Sequence, residues 1–306
     1  TQLRALILDL TGEYARRFHA TKPFVPGQSA VPVSGKVYDE SDMRNLVDSS
    51  LDFWLTTGRF NEQFEAQLAQ RLGVAHALTT NSGSSANLLA LSTLTSHYFR
   101  GDALKPGDEV ITVPFTFIAT VAAIRYTGAT PVLVDVDPIS YTMDPGAIEA
   151  AITPRTRAIL PVHLFGQPAD MDPIVEIARS HGLLVIEDAA QAHGAKWDGK
   201  MIGSHGDIGF GSYQQCKQIT CGEGGVIVTN SEELGRRAHI GVDKAWQRDL
   251  PLEKRQYEFL APNVRFNAIQ AAIIKPQIPR LSGVINKRRN IADIYYKEFL
   301  EISDYV

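Results

Sequence analysis

Short apolar runs alternate with amphipathic stretches through the middle of the chain. Six runs are rich in β-branched and other apolar residues, a pattern typical of strands buried on both faces. They are residues 108–115, 130–137, 157–166, 183–190, 207–213 and 224–230. The intervening segments FIATVAAIRYTG, DPGAIEAAI and DMDPIVEIARSHG have helical spacing of apolar residues. Strands joined by helical crossovers predict an α/β fold, with a mostly parallel central sheet flanked by helices.

The two ends of the chain carry other patterns. Residues 1–18 have the periodicity of an amphipathic helix, and their acidic residues and lack of a small-residue cleavage site argue against a signal peptide. Residues 20–36 are rich in Pro, Gly and Ser, which predicts an extended arm. Residues 264–302 have a helical pattern that two prolines interrupt, so we expect a kink or break near Lys275.

The composition is that of an ordinary globular enzyme. Apolar residues make up 44% and charged residues 21%, and the net charge of −4 includes no basic excess that would attract nucleic acid. No apolar run approaches the roughly 20 residues that span a bilayer. The two cysteines, Cys216 and Cys221, match neither a CxxC redox pair nor a zinc site, and two thiols cannot hold an iron–sulfur cluster alone. We therefore expect a cytoplasmic protein with no metal site and no nucleic-acid or membrane partner.

One lysine and one acidic residue suggest a particular cofactor. Lys217 precedes a glycine-rich turn, and a lysine amine condenses with an aldehyde to form a Schiff base. Asp188 ends an apolar run, where a buried carboxylate can hold a pyridine nitrogen protonated. Ligands of parallel sheets bind at the carboxyl ends of the strands, where Phe117, His163 and Ser212 should also lie. This combination predicts a site for pyridoxal 5'-phosphate (PLP).

Three local features support that cofactor, and two of them have a simpler explanation. Gly83, Ser84 and Ser85 stand where a helix is expected to start, and free N–H groups there bind phosphate. Ser84 or Ser85 could equally be an ordinary N-cap. An aromatic residue in VPFTFIAT could cover a planar ring or only pack in the core. The glycines of residues 222–225 permit a sharp turn after the lysine.

The order of these motifs resembles the DegT/DnrJ/EryC1/StrS sugar aminotransferase family of fold type I PLP enzymes. The blocks NSGSSANLLAL, VPFTFIAT, IEDAAQAHGA, SYQQCK with GEGG, and NVRFNAIQAAI lie between about Leu46 and Tyr296, which is most of the chain. The resemblance implies a fold type I transferase whose small C-terminal domain is largely absent. It divides the chain into an N-terminal helix and arm (1–45), a large PLP-binding domain (46–262) and the start of the small domain (263–306).

The resemblance also assigns roles to individual residues. Lys217 would be the Schiff-base lysine and a general acid and base, and Asp188 would pair with the pyridine nitrogen. Asn263 would reach the phosphate of a neighbouring subunit, which implies a homodimer with shared active sites. We expect His163 and His193 to be hydrogen-bonded polar residues without a catalytic role. The other cofactor contacts would be Gln191 near the ring hydroxyl, Phe117 stacked on the ring, and Ser212 with the loop of Gly83, Ser84 and Ser85 at the phosphate.

The implied reaction moves an amino group from a donor such as L-glutamate to a nucleotide-activated keto-sugar, or to a keto-cyclitol, by a ping-pong Schiff-base mechanism. The N-terminal third, including NSGSSANLLALSTLTS, is more similar to the nucleotide-sugar 3-dehydratase branch of the family. Members of that branch carry histidine in place of the lysine, and some bind a [2Fe–2S] cluster. Lys217 and the lack of cysteine after residue 221 favour the aminotransferase. A dehydratase without an iron–sulfur cluster and a non-catalytic PLP-binding protein remain the alternatives.

Overall fold

The computed structural model describes residues 1–32, 37–96, 103–247 and 250–302. Within these ranges, a central sheet is surrounded by helices, as the sequence predicted. The strands are β1 (His76–Thr80), β2 (Glu109–Thr112), β3 (Thr130–Leu133), β4 (Thr156–Ile159), β5 (Leu184–Asp188), β6 (Lys196–Trp197), β7 (Lys200–Met201), β8 (Ile208–Ser212) and β9 (Gly225–Thr229). The helices are α1 (Gln2–Phe18), α2 (Glu40–Asp52), α3 (Arg59–Leu72), α4 (Gly83–Thr93), α5 (Ile118–Tyr126), α6 (Met171–Ser180), α7 (Glu232–Gly241), α8 (Ala268–Ile274) and α9 (Leu281–Glu301).

Seven of these strands form the central sheet, in the order β1-β9-β8-β5-β4-β2-β3. The pairs from β8 to β3 are parallel, and β9 is antiparallel to both of its neighbours. The prediction of a mostly parallel sheet is therefore confirmed. Strand β1 was not predicted, because its sequence HALTT has no continuous apolar run. The short hairpin of β6 and β7 was not predicted either.

The sheet is packed on both faces. Along β9, Ile227 joins the larger apolar core, whereas its neighbours Val226 and Val228 join a second core built largely from α3 and α8. Alternate residues of a strand point to opposite faces, so this division shows that helices cover each side of the sheet. Helix α4 lies deep in the structure, with Leu89 and Leu91 fully buried. This packing holds the N-terminus of α4 near the carboxyl ends of the central strands, where the candidate site lies.

Several predictions about individual segments can be compared with the structure. Helix α1 is present, and α8 ends at Ile274 before a 3₁₀ turn at Lys275–Gln277, so the predicted break is confirmed. Residues 144–152 form two short 3₁₀ turns and not the expected helix. Residues 19–32 of the arm contain neither helix nor strand, and residues 33–36 lie outside the described residues. The division into domains stays a prediction.

In the parts of the chain that the structure describes, no helix combines the length and the apolar character needed to cross a bilayer.

Candidate active site

A cavity of about 560 Å³ opens at the carboxyl ends of β5 and β8. It is bounded by the N-terminal turns of α4 and α5 and by the loop that follows β8. Most of the site residues expected from the sequence line this one space, namely Gly83, Ser84, Phe117, Asp188, Gln191, Ser212 and Lys217. The structure therefore brings together residues that are up to 134 positions apart in the chain, counted from Gly83 to Lys217.

One end of the cavity is suited to a phosphate group. The side chain of Ser82 caps α4 by accepting a hydrogen bond from the Ser85 N–H (3.0 Å), so the N-cap is Ser82 and neither of the serines that the sequence suggested. The first N–H groups of a helix have no intrahelical acceptor, which leaves those of Gly83 and Ser84 for a ligand. A Cβ atom on Gly83 would lie 2.5 Å from the Ser212 Cβ. Glycine thus lets the helix start and the Ser212 hydroxyl line the same space.

Asp188 occupies another part of the cavity. It is the last residue of β5 and only 7% exposed. Its Oδ2 accepts a hydrogen bond from Thr120 Oγ1 (2.8 Å), and its Oδ1 accepts one from the Ala190 N–H (3.1 Å). Burial raises the pKa of Asp188 above its ordinary value, although these hydrogen bonds and the Lys217 charge oppose the shift. No cation of the described residues forms an ion pair with this carboxylate, which suits it to a cationic ligand such as a protonated pyridine.

Lys217 lies in the loop after β8 and is half-buried. Its N–H donates to the Gln214 carbonyl oxygen (2.9 Å), which closes a turn. The next residue ties this turn to the loop that follows β5, because Gln218 Nε2 donates to the Gln191 carbonyl oxygen (2.8 Å). Among the described side chains, no carboxylate lies within ion-pair distance of Lys217 Nζ. The Lys217 amine therefore lies at the cavity and is not engaged in an ion pair with any described side chain.

Gln191 and Phe117 occupy positions that suit contacts with a planar ring. Gln191 Oε1 accepts a hydrogen bond from the Phe165 N–H (2.8 Å), so the donor left for the cavity is the amide NH₂. Phe165 has a left-handed backbone (φ 53°), which marks a locally strained turn. Phe117 is 66% exposed and so is not a core residue, which excludes the core-packing alternative for it.

The two histidines near the site are hydrogen-bonded as expected. His163 is fully buried, accepts from the Ala169 N–H through Nδ1 (3.0 Å), and contacts Glu187 Oε2 through Nε2 (3.1 Å). Although burial acts to raise it, the pKa of Glu187 is lowered by His163 and by backbone N–H groups. His193 Nε2 lies 2.7 Å from the Ser212 carbonyl oxygen, and burial lowers the pKa of His193 to about 4. A neutral His193 therefore donates to the end of β8 and supports the strand.

Sequence reasoning missed several polar residues of the cavity, among them Thr116, Thr120 and Asn87. Thr116 and Thr120 lie near the start of α5, and Thr120 contacts Asp188. Asn87 is 2% exposed and donates through Nδ2 to the Ala119 carbonyl oxygen (3.2 Å), whereas its buried Oδ1 has no partner among the described residues. Spacing could have indicated Asn87, because it lies four residues after Gly83 and so on the same face of a helix. The contact between Thr120 and Asp188 spans 68 residues and has no local signal.

Two predicted site residues lie outside this cavity. Ser85 does not line it, and the Ser85 N–H is donated to Ser82. Asn263 lines a separate pocket of about 250 Å³ with Asn81 and Arg265, and Asn263 Oδ1 accepts a hydrogen bond from the Arg265 N–H (3.2 Å). The roles of both residues in phosphate binding stay predictions.

The chain matches a family model over most of its length. The model of the DegT/DnrJ/EryC1/StrS aminotransferase family covers residues 37–306. The lipopolysaccharide biosynthesis protein RfbH of Salmonella typhimurium is 40% identical over an alignment of 311 residues that covers 94% of this chain and 71% of that protein. GDP-perosamine synthase of Caulobacter vibrioides is 41% identical over 258 residues, which are 83% of this chain and 66% of the synthase. The chain thus spans about two thirds of the length of such relatives.

Solved structures show the same similarity. Helicobacter pylori PseC, an aminotransferase involved in the biosynthesis of pseudoaminic acid, superposes with a TM-score of 0.81 at 28% identity, over 89% of this chain and 71% of PseC. GDP-4-keto-6-deoxy-D-mannose-3-dehydratase of E. coli, solved with bound hydrated PLP, superposes with a TM-score of 0.82 at 27% identity, over 88% of this chain and 72% of the dehydratase.

PLP fits the residues of this cavity. Gly83, Ser84 and Ser212 offer donors to its phosphate, and a Cβ on Gly83 would close the space between helix and strand. Asp188 offers a buried acceptor and Lys217 offers an amine, and neither forms an ion pair within the described parts of the chain. The donor set therefore agrees with the cofactor that the family and the PLP-bound dehydratase indicate.

Proposed function

Because the chain belongs to the DegT/DnrJ/EryC1/StrS aminotransferase family, a family of fold type I PLP enzymes, we propose that it transfers an amino group from an amino acid to a nucleotide-activated keto-sugar. The observation that carries this proposal is the meeting of Lys217 and Asp188 in one cavity, each without an ion-pair partner among the described residues. The named relatives support a nucleotide-linked substrate. We propose L-glutamate as the amino donor.

The residues divide the work between binding and proton transfer. PLP supplies an electron sink that stabilises negative charge at the substrate carbon attached to nitrogen. Lys217 would hold the cofactor through its amine and would move a proton to and from the substrate carbon as general base and acid. Asp188 keeps the ring nitrogen protonated, which makes the electron sink effective.

The remaining contacts orient the ring. The helix start at Gly83 and Ser84, with the Ser212 hydroxyl, would hold the phosphate. The Gln191 amide would donate to the ring hydroxyl, and Phe117 would cover one face of the ring. Gln191 is held for this role by its hydrogen bond from the Phe165 N–H. We also propose a homodimer in which Asn263 contacts the phosphate of the neighbouring subunit. The cytoplasmic location stays a prediction.

A 3-dehydratase is the second candidate, because the E. coli 3-dehydratase has a TM-score of 0.82 with this chain. A dehydratase removes water from the sugar and leaves no amine on its product, so the two reactions are separated by their products. Lys217 favours the aminotransferase, because an amine there can remove and return the proton that amine transfer requires. The third candidate is a protein that binds PLP without catalysis.

The test follows the two half-reactions separately. The PLP-loaded protein is mixed with L-glutamate alone, and released 2-oxoglutarate is measured by mass spectrometry. Keto-sugar nucleotides and a keto-cyclitol are then added, and the products are screened for a gain of nitrogen or a loss of water. One equivalent of 2-oxoglutarate and an aminated sugar support the proposal. Loss of water without nitrogen gain supports the dehydratase, and bound PLP with neither half-reaction supports the non-catalytic alternative.

A further inference from the structure

We propose that Thr116 and Thr120 form a hydroxyl chain that ends on Asp188 and keeps this carboxylate ionised and oriented for the cofactor ring. The inference rests on the proposed function. Thr116 Oγ1 lies 2.9 Å from Thr120 Oγ1, and Thr120 Oγ1 lies 2.8 Å from Asp188 Oδ2. Both threonines line the cavity. Neither residue was among those that the sequence indicated.

The direction of the hydrogen bonds follows from the number of protons. An ionised carboxylate only accepts, so the Thr120 hydroxyl proton points to Asp188. Thr120 then has only lone pairs for its neighbour, and Thr116 must donate to it. Consecutive hydroxyls aligned in this way polarise each other, which strengthens the last bond to the carboxylate. The chain therefore favours the charged form of Asp188.

Asp188 needs this support because it is buried. Burial raises its pKa, and the Thr120 hydrogen bond is the strongest of the interactions that oppose this shift. The second oxygen, Oδ1, accepts only the longer bond from the Ala190 N–H (3.1 Å) among the described groups. His163, from the loop after β4, and Lys217, from the loop after β8, are the other charged or titratable groups that act on Asp188. Both remain in place when Thr120 is changed.

Thr79 and Thr156 are buried threonines that also donate to carboxylates, of Glu65 and Glu109, but the carboxylate that Thr120 contacts lines the cavity. Thr93 and Thr112 are also fully buried, but their hydroxyls donate to backbone carbonyl oxygens, of Ala90 (2.6 Å) and Leu160 (2.9 Å) respectively. Such a hydrogen bond satisfies the threonine hydroxyl but does not act on a residue of the cavity. The Thr120 hydroxyl is instead directed to a carboxylate in the candidate active site, as is expected of a positioning residue.

The turn that carries the chain is itself fixed. Asn87 of α4 donates to the Ala119 carbonyl oxygen (3.2 Å), and the Thr120 N–H donates to the Phe117 carbonyl oxygen (3.0 Å). The same turn therefore presents the Phe117 ring and the hydroxyl chain to the cavity. A shift of this turn would move both contacts of the cofactor ring together.

The test compares Thr120→Val, which keeps the shape and removes the hydroxyl, with Thr120→Ser, which keeps the hydroxyl. The readout is the ¹⁵N chemical shift of the ring nitrogen of labelled PLP bound at neutral pH. Wild type and Thr120→Ser should report a protonated nitrogen, and Thr120→Val should shift toward the neutral form. We also expect Thr120→Val to slow the donor half-reaction about tenfold, since a hydrogen bond to a charged group supports a change of at least that size.

Thr112→Val is the matched control, because it removes a buried threonine hydroxyl that does not contact Asp188. It should leave the ring-nitrogen signal unchanged. If Thr120→Val does not fold, Thr116→Val at the half-buried end of the chain should shift the signal in the same direction by a smaller amount. Equal signals for Thr120→Val and Thr120→Ser would overturn the inference.

The PLP-free protein gives a second readout that a structural role would not change. Asp188 has a raised pKa in the folded state, so its charged form costs stability at neutral pH, and this cost disappears as the pH falls. Removing the Thr120 hydroxyl should enlarge the cost. The stability difference between Thr120→Val and Thr120→Ser should therefore shrink on acidification, whereas the effect of Thr112→Val should not depend on pH. A difference that stays constant with pH would contradict the inference.

These results separate the inference from the proposed function. If wild-type protein does not bind PLP through Lys217, the proposed function fails. If wild type binds PLP with a protonated ring nitrogen, and Thr120→Val does the same, only the role of the hydroxyl chain fails.

Discussion

Charged residues are arranged in opposite ways at the N-terminal helices and at the cavity. Between α1 and α2, Arg4 contacts Asp48 and Asp52 at 2.6 and 2.7 Å, and Arg59 contacts the same two carboxylates at 2.6 and 2.7 Å. In the cavity, Asp188 and Lys217 form no ion pair with any described residue. The residues of the first group are partly exposed to solvent, and their charges are neutralised by ion pairs with each other. The second is more buried and leaves both charges available to a ligand, which is the arrangement expected of a functional site.

This contrast predicts that the charges in the cavity are needed for cofactor binding and turnover. The charges of the first group, here called the α1–α2 network, should contribute only weakly to stability. A substitution at the cavity should therefore reduce cofactor binding or turnover while sparing the fold. A substitution in the α1–α2 network should lower the stability slightly and leave cofactor binding and turnover unchanged. The three following changes test this, from the largest expected effect to the smallest.

Asp188→Asn should have the largest effect. It keeps the shape but removes the charge that holds the ring nitrogen protonated, so we expect the glutamate half-reaction to slow about a hundredfold or more. The PLP-free protein should become more stable at neutral pH, because a buried carboxylate with a raised pKa is removed. That gain should vanish as the pH falls through the raised pKa of Asp188. Stopped-flow absorbance and urea unfolding between pH 4 and about 8 measure the two effects.

An Asp188→Asn variant with an unchanged half-reaction rate would show that the carboxylate does not act on the ring nitrogen. A stability gain that is independent of pH would show that burial of the charge is not its cause.

Gly83→Ala should have an intermediate effect. Its Cβ would meet the Ser212 Cβ at 2.5 Å and Oγ at 2.7 Å, so the helix start must move away from the strand. We expect the affinity for PLP to fall about tenfold to a hundredfold, because helix N–H groups and hydroxyl no longer converge on the phosphate. Titration of PLP followed by its visible absorbance measures this.

Gly283→Ala is the control for that substitution. A Cβ on Gly283, in α9, meets no atom within 4 Å, and alanine in a helix is favoured over glycine by about 1 kcal/mol. It should stabilise the protein slightly and leave PLP affinity unchanged. Equal PLP affinities for Gly83→Ala and Gly283→Ala would argue against a phosphate site at the start of α4.

Arg4→Met should have the smallest effect. Its ion pairs with Asp48 and Asp52 are partly exposed, with 30% of the arginine side chain accessible, and solvent screening makes the contribution of such pairs to stability small. The destabilisation should become smaller in high salt, and PLP affinity should not change. Thermal unfolding at two salt concentrations measures it. A large loss of PLP affinity would mean that the α1–α2 network also supports the cavity, and the contrast between the two regions would fail.

The sequence predicted those site residues whose signal is local. Asp188 ends a continuous apolar strand, Ser212 ends another, and Lys217 precedes glycines, so each position follows from pattern alone. The predictions failed where local chemistry competes with periodicity. Strand β1 is rich in threonine, and residues 144–152 start with proline and glycine and close as 3₁₀ turns.

Contacts between distant segments could not be predicted from a single sequence. The Thr120 hydroxyl meets Asp188 only because the fold brings the start of α5 to the carboxyl end of β5. The pairing of Gly83 with Ser212 likewise depends on the depth at which α4 packs against β8. Asn263 is the opposite case, because its predicted role requires a second copy of the chain.

The central claim is that Lys217 and the surrounding cavity form one PLP site, and covalent labelling tests it most directly. Wild type and Lys217→Ala are each saturated with PLP, reduced with sodium borohydride, digested and analysed by mass spectrometry. We predict a pyridoxyl group on Lys217 in wild type, and no pyridoxyl group on the corresponding peptide of the variant. A wild type labelled mainly at another lysine would contradict the account.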